Sequence, residues 1–121
     1  MTVNEVLAEV NEVKPSQYDA GILIKWLNQI ELQIVEEIVN THEGDAVSFS
    51  QYTENNTADE LIAPDAYADL YKYYLYAMID FANGETDRYT NSMIMFNNAY
   101  QKFADYYNRT HMPKSRPLKI M

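Results

Sequence analysis

Two stretches in the second half of the chain repeat large apolar or aromatic side chains at alternating intervals of four and three residues. In residues 67–81 these side chains are Tyr67, Tyr71, Tyr74, Met78 and Phe81. In residues 89–107 they are Tyr89, Met93, Phe96, Tyr100, Phe103 and Tyr107. This spacing places each set on one face of a helix and is typical of helices that pack against each other. It constrains the fold more than any other feature of the chain.

The sequence NGETD separates the two stretches, and such a short turn predicts an antiparallel helical hairpin. If the turn is centred near Asp87, the facing pairs are Phe81 with Met93, Met78 with Phe96, Tyr74 with Tyr100, Tyr71 with Phe103, and Tyr67 with Tyr107. Every pair joins an aromatic ring to a second ring or to a methionine, and both kinds of contact are favourable in cores. The tyrosine-rich stretch therefore predicts core packing rather than a cage for a ligand.

Helix-start and helix-stop residues divide the chain into four predicted helices. Thr2 and Glu5 form a capping box, Asp19 or Ser16 can cap the second helix, and Pro64 suits the first turn of the third. Asn83-Gly84 is a stop signal, and Thr86 or Asp87 can cap the last helix. We expect a mainly α, four-helix domain over residues 1–110, with helices at about 2–13, 20–40, 64–82 and 87–110.

The helical pattern is absent from residues 41–63, which read THEGDAVSFSQYTENNTADELIA. The alternation around Phe49 and Tyr52 leaves room for one or two short strands or a β-hairpin. Irregular segments of this length in small domains tend to be functional or to order against a partner. We therefore expect Phe49 and Tyr52 to make contacts outside the domain.

The charge is divided unevenly along the chain. Residues 1–110 hold all eighteen acidic residues and six of the nine basic ones, a net charge of −12, whereas residues 111–121 carry +3. Such an acidic body should repel phosphate, while the basic tail suits an acidic patch on a partner or on a neighbouring copy, or has no role. The absence of cysteine, of a signal peptide and of a long apolar run leads us to expect a soluble protein made in a cytoplasm.

No motif for catalysis, for a cofactor or for phosphate binding occurs, so we expect no enzyme activity. His42 lies beside Glu43 and Asp45, but their spacing matches no metal-binding motif and favours a solvated loop. Glu31 is assigned to the polar face of the second helix. Tyr73 and Tyr76 lie off the hairpin face, and we expect them to face the first two helices or an adjoining subunit. The acidic residues around them disfavour stacking on nucleic acid.

The order of these elements resembles the head–tail connector (adaptor, neck) proteins of tailed bacteriophages. The resemblance covers most of residues 14–113 and includes KWLNQIELQIVEEIVNTHEG and LIAPDAYADLYKYYLYAMIDFANGETDRYTNSMIMFNNAYQKFADYYNRTHMP. These stretches are similar to small proteins encoded beside capsid genes in siphophages and in prophages of Gram-positive bacteria.

The resemblance implies a structural protein of the virion neck. It implies a homo-oligomeric ring, usually twelve-fold, beneath the portal protein, which extends the DNA channel towards a tail-side neck or tail-terminator protein. Double-stranded DNA would pass without being gripped, and no membrane would be involved. The extended tail at residues 111–121 would dock on the portal or on a neighbouring subunit through Lys114, Arg116, Leu118, Lys119 and Ile120.

Two other functional classes are weighed against this one. A small acidic phage-encoded protein could inhibit a host protein or mimic DNA by occupying a basic site, although its acidic residues are scattered over all four helices. A small hydrolase would need a site that no motif reveals.

Overall fold

The computed structural model describes residues 1–42 and 49–111, and this part of the chain contains four α-helices and no β-strand. The helices are α1 (Val3–Val13), α2 (Ala20–Glu37), α3 (Asp69–Ala82) and α4 (Thr86–Thr110). Short 3-10 turns follow α2 at Val39–Thr41 and precede α3 at Asp65–Tyr67. The expectation of a mainly α chain is confirmed.

The central segment (residues 49–63) is irregular. Its one β-type contact among the described residues is an isolated antiparallel bridge between Thr2 and Glu60. The first part of the predicted strand region, residues 43–48, lies outside the described residues, so the predicted β-hairpin stays a prediction.

Side-chain caps fix the starts of the first two helices. Thr2 and Glu5 form the reciprocal capping box, and the carboxylate of Asp19 accepts a hydrogen bond from the Ile22 amide at the start of α2. The expected cap on α4 is wrong, because the helix begins at Thr86 and Glu85 precedes it without a side-chain cap. Gly84 has a φ of 74°, a left-handed conformation that ends α3.

The core lies between α2 and α3. α2 buries one stripe that contains Leu27, Ile30 and Ile34, and α3 buries Leu70 and Leu75 on the facing side. α3 contacts all three other helices, so it is buried on more than one face. Each fully buried aliphatic side chain in this layer contributes about 1.5–3 kcal/mol to the stability of the fold.

The expected register between α3 and α4 is wrong by one helical turn. Across these helices Phe81 meets Tyr89 and Tyr74 meets Phe96, at centroid distances of 5.4 and 5.3 Å. Tyr67, in the 3-10 turn before α3, lies 6.1 Å from Phe103 and stacks on Tyr106 at 4.7 Å. Phe81 and Tyr74 therefore each meet a ring four residues earlier in α4 than the expected partner. The cause is the turn, which is shorter than NGETD because α4 already includes Thr86 and Asp87.

Candidate functional site

A buried carboxylate joins the central segment to the helices. Glu31 of α2 is fully buried, and its Oε2 atom accepts hydrogen bonds from the hydroxyl of Tyr52 at 2.8 Å and the amide of Ile62 at 3.0 Å. Its Oε1 atom accepts a hydrogen bond from the hydroxyl of Tyr71 at 2.6 Å. The Tyr71 oxygen in turn accepts a hydrogen bond from the Ala63 amide at 2.9 Å. We call Glu31, Tyr52 and Tyr71 the carboxylate–tyrosine cluster.

The protonation equilibria of this cluster follow from its burial. Desolvation raises the pKa of Glu31 above its ordinary value, while the hydrogen bonds from Tyr71, Ile62 and Tyr52 act in the opposite direction. Burial, together with the nearby Glu31 carboxylate, raises the pKa of both tyrosines well above the ordinary value. Both hydroxyls therefore remain protonated donors at neutral pH, and neither is available as a base.

Asn28 holds the central segment at Tyr52. Its side-chain nitrogen donates to the carbonyl oxygen of Tyr52 at 3.1 Å, and its oxygen accepts from the amide of Tyr52 at 2.8 Å. One side chain thus satisfies both backbone groups of Tyr52, as a neighbouring β-strand would. The ring of Phe49 packs edge-on against that of Tyr52, with the centroids 5.4 Å apart.

The two loop residues expected to make outside contacts differ in exposure. Tyr52 is 8% exposed, and its hydroxyl donates a hydrogen bond to Glu31 inside the domain. Phe49 is half-buried and remains available at the surface of the central segment. That both make contacts with another subunit or protein stays a prediction, and Phe49 is the residue better placed for it.

Tyr73 and Tyr76 lie side by side on α3. Their rings are 6.1 Å apart in an edge-to-face arrangement, and the Nζ of Lys14, at the end of α1, lies 5.7 Å from the centre of the Tyr76 ring. Tyr73 lines a shallow cleft of about 230 Å³ between α3 and α4, together with Met95 and Lys102. Tyr76 therefore faces α1, and Tyr73 is the member of the pair directed towards this cleft.

Ion pairs fix the surroundings of these rings. Lys14 donates to the buried carboxylate of Asp80 at 2.6 Å, and Ser92 of α4 donates to the same carboxylate at 3.0 Å. Lys72 pairs with Glu9 at 3.0 Å and with Asp69 at 2.7 Å. Burial lowers the pKa of Lys72, but these two carboxylates more than compensate and raise it. Lys14 and Lys72 are therefore engaged within the domain.

His42 is a structural residue rather than a loop residue in solvent. It is buried, its Nδ1 lies 2.6 Å from the carbonyl oxygen of Ile38, and its Nε2 lies 2.7 Å from Oδ1 of Asn108 in α4. The expectation of a solvated position is thus wrong for His42, whereas Glu43 and Asp45 lie outside the described residues. Within residues 1–42 and 49–111, no three His, Asp or Glu side chains are grouped so that they could hold a metal ion.

The docking residues expected in the tail, Lys114, Arg116, Leu118, Lys119 and Ile120, lie outside the described residues. The polar groups that organise the interior were missed by the sequence reasoning. The expectation that Glu31 lies on the polar face of α2 is wrong, because the side chain is fully buried. Glu31 follows Leu27 by four residues and precedes Ile34 by three, and both of these residues are buried. This helical spacing was the signal that Glu31 shares their buried face.

Comparisons with protein-family models, with curated proteins and with solved structures find no match to the chain. In the part of the chain that the structure describes, no helix is both long enough and apolar enough to cross a membrane.

Proposed function

We propose that this chain is a head–tail connector of a tailed bacteriophage. In this role copies of the chain form a ring, with twelve subunits, beneath the portal protein and extend the DNA channel towards a tail-side neck or tail-terminator protein. It is a structural protein of the virion neck, made in the host bacterial cytoplasm, and not an enzyme. The proposal comes from the resemblance of its helix order and turns to such proteins.

The observation that carries the proposal is the attachment of the central segment to the helical body. A segment between two helices can reach a neighbouring subunit reproducibly only if its base is fixed. Here the carboxylate–tyrosine cluster and Asn28 fix that base from α2 and α3. The segment would then present Phe49 to the next subunit or to the tail.

The charge distribution supports passage of DNA without binding. A net charge of −12 on residues 1–110 repels the phosphate backbone, whereas a DNA-binding channel would present lysines and arginines. Lys14 and Lys72, two of the six basic residues in that range, are engaged in ion pairs with carboxylates of the same chain. DNA that slides past such a surface meets few cations that could hold it.

The basic tail supplies the complementary surface that a ring or a portal contact requires. A ring closes through two different surfaces on each subunit. The +3 tail of one copy and the acidic body of the next form such a pair, and an acidic patch on the portal would serve equally. In this proposal Lys114, Arg116 and Lys119 provide the charge, and Leu118 and Ile120 provide the apolar anchor.

The test is binding to the portal protein encoded in the same genome. The purified chain is mixed with assembled portal and examined by native mass spectrometry and electron microscopy. The expected result is a ring seated on one end of the portal, with loss of binding when Lys114, Arg116 and Lys119 are all replaced by glutamate. A matched control replaces Lys25, Lys102 and Arg109, on the body, by glutamate and should still bind.

Absence of binding to the portal would contradict the proposal. Tight binding to a basic host protein, unaffected by the tail substitutions, would instead support the alternative of an acidic inhibitor or DNA mimic. A monomer in the absence of portal does not decide between these outcomes, because assembly on the portal can supply the contacts that close the ring.

A further inference from the structure

A cleft of about 320 Å³ lies beside the end of α4. Its walls come from three parts of the chain: Val39 follows α2, Ile62 belongs to the central segment, and Phe103 and Tyr107 belong to α4. His111 completes the wall, with its ring stacked flat on that of Tyr107 at a centroid distance of 3.8 Å. We call this space the α4-end cleft.

The α4-end cleft is an apolar opening in an acidic domain. Among the described residues, no Asp, Glu, Lys or Arg lines it. Phe103 is buried at this site, whereas Val39, Ile62 and Tyr107 are only half-buried. Covering their remaining apolar surface is favourable in proportion to the area that is removed from water. The cleft therefore favours an occupant with apolar side chains.

The chain itself supplies such an occupant next to the cleft. Residues 112–121 continue directly from His111 and include Leu118 and Ile120. Alternate side chains of an extended segment point to the same side, so Leu118 and Ile120 can enter the cleft together while Lys119 points away. The six residues between His111 and Leu118 span up to about 20 Å, well above the width of a cleft of this volume. The segment is therefore long enough to fold back onto the cleft.

Connectivity and charge favour this segment over a separate partner. A short flexible tether holds it near the cleft at an effective concentration on the order of 1 mM, which a separate partner would have to outcompete. Residues 112–121 carry +3, whereas residues 1–110 carry −12. The exposed Asp65 and Asp105 are each adjacent in sequence to a residue that lines the cleft, and Arg109 is a single opposing charge at this end of α4. The overall attraction between body and tail acts in the same direction as the tether.

We propose that Leu118 and Ile120 of the same chain occupy the α4-end cleft while the chain is free in solution. The contact is intramolecular and does not depend on the proposed connector function. In that function the same two side chains would leave the cleft when the tail docks on the portal. The test below uses the chain without portal, so a failure of the connector proposal leaves its result unchanged.

Nuclear magnetic resonance of the full chain tests the contact. Replacing both Leu118 and Ile120 by serine should shift the methyl resonances of Val39 and Ile62, because their apolar cover is lost. The matched control replaces Lys119 and Met121 by serine, at the alternate positions of the same segment, and should shift those resonances much less. Equal shifts in the two variants, or no shift in either, would overturn the proposal.

A peptide of residues 112–121 distinguishes the chain's own tail from other occupants. It should bind the Leu118→Ser, Ile120→Ser variant about tenfold more tightly than the unaltered chain, whose own tail competes for the cleft at high effective concentration. Equal affinity for the two chains would show that the cleft is open to a separate partner and would overturn the proposal. Resonances of Val39 and Ile62 that change as the unaltered chain is diluted would assign the cleft to the tail of a second copy, and would also overturn it.

Discussion

The carboxylate of Glu31 is shielded from water and receives three hydrogen bonds, two of them from groups in the central segment. A buried charge costs several kcal/mol unless hydrogen bonds compensate it, and a buried donor left without an acceptor costs about 1–3 kcal/mol. The carboxylate of Glu31 and its three donors, the Tyr52 and Tyr71 hydroxyls and the Ile62 amide, therefore stabilise one another only as a set. Loss of one member leaves the others buried and unpaired.

Replacing Glu31 by glutamine tests this dependence. The amide retains one acceptor oxygen but places a donor against the Tyr52 hydroxyl and the Ile62 amide, or against Tyr71 if it is rotated. We expect a loss of about 1–3 kcal/mol in the free energy of unfolding, measured by urea denaturation. Glu36→Gln, at an exposed position on the same helix, is the matched control and should change stability by less than about 0.5 kcal/mol. Equal effects of the two substitutions would show that the cluster does not stabilise the fold.

The raised pKa of Glu31 predicts a specific dependence on pH. A carboxyl group whose pKa is higher in the folded chain than in the unfolded chain stabilises the fold in its protonated form. That contribution is complete below the ordinary value of 4.5 and is lost as the pH rises through the folded-state pKa. Stability measured relative to Glu31→Gln should therefore fall as the pH rises from about 4.5. A difference that stays constant or grows with pH would contradict the assignment.

The sequence predicts the structural role of a residue when its partners are near in the chain. It does not predict the role of a residue whose partners are distant. The capping box of Thr2 and Glu5 and the stop at Gly84 involve near neighbours, so short-range spacing reveals them. Glu31, Asp80 and His42 are buried because groups far along the chain satisfy them. No local pattern identifies those groups, and a charged residue is normally expected at the surface.

At the scale of elements, the turn between α3 and α4 sets which rings meet. The spacing of large residues identified helices that pack on one another, but registers one turn apart place the same residues on the same face. The length of the turn decides which register forms. The turn is shorter than expected because α4 already includes Thr86 and Asp87, the two residues expected to cap it. Periodicity thus predicted the packed faces, and the register needed the structure.

Gly84 and Gly21 should respond to alanine with opposite signs. At Gly84 a Cβ would meet nothing within 4 Å, but the φ of 74° disfavours any side chain, so we expect a loss of about 1 kcal/mol. At Gly21, within α2, the nearest atom to an added Cβ is 3.5 Å away and alanine is the better helix former, so we expect a gain of up to about 1 kcal/mol. Thermal unfolding of the two variants measures both changes. Stabilisation by Gly84→Ala would contradict the assigned turn.

Asn28 should control how firmly the central segment is held. Asn28→Ala removes the partners of both backbone groups of Tyr52, so we expect faster amide hydrogen exchange and proteolysis within residues 49–56. Asn28→Asp keeps the acceptor for the Tyr52 amide but places a carboxylate oxygen against the Tyr52 carbonyl oxygen, so exchange and proteolysis should rise in this variant as well. If both variants resist proteolysis as the unaltered chain does, the segment is held by other contacts.

At the scale of the whole molecule, the chain combines a fixed central segment, an acidic body and a basic tail. Composition was sufficient to predict a helical, strongly acidic domain, because charge and periodicity are properties of the sequence itself. It was not sufficient to predict which residues of α4 are exposed, since exposure is decided by which helix faces become buried. The proposed ring depends on the acidic body and on the basic tail.

The most direct test of the connector proposal is to count the chain in virions. Phage particles are purified from a host that carries the genome encoding the chain, and copies of this chain and of the portal protein are measured by quantitative mass spectrometry. The proposal predicts equal copy numbers, twelve of each, with ring-shaped density for the chain between portal and tail in electron microscopy of the same particles. Absence of the chain from particles, despite its abundance in the infected cell, would contradict the proposal.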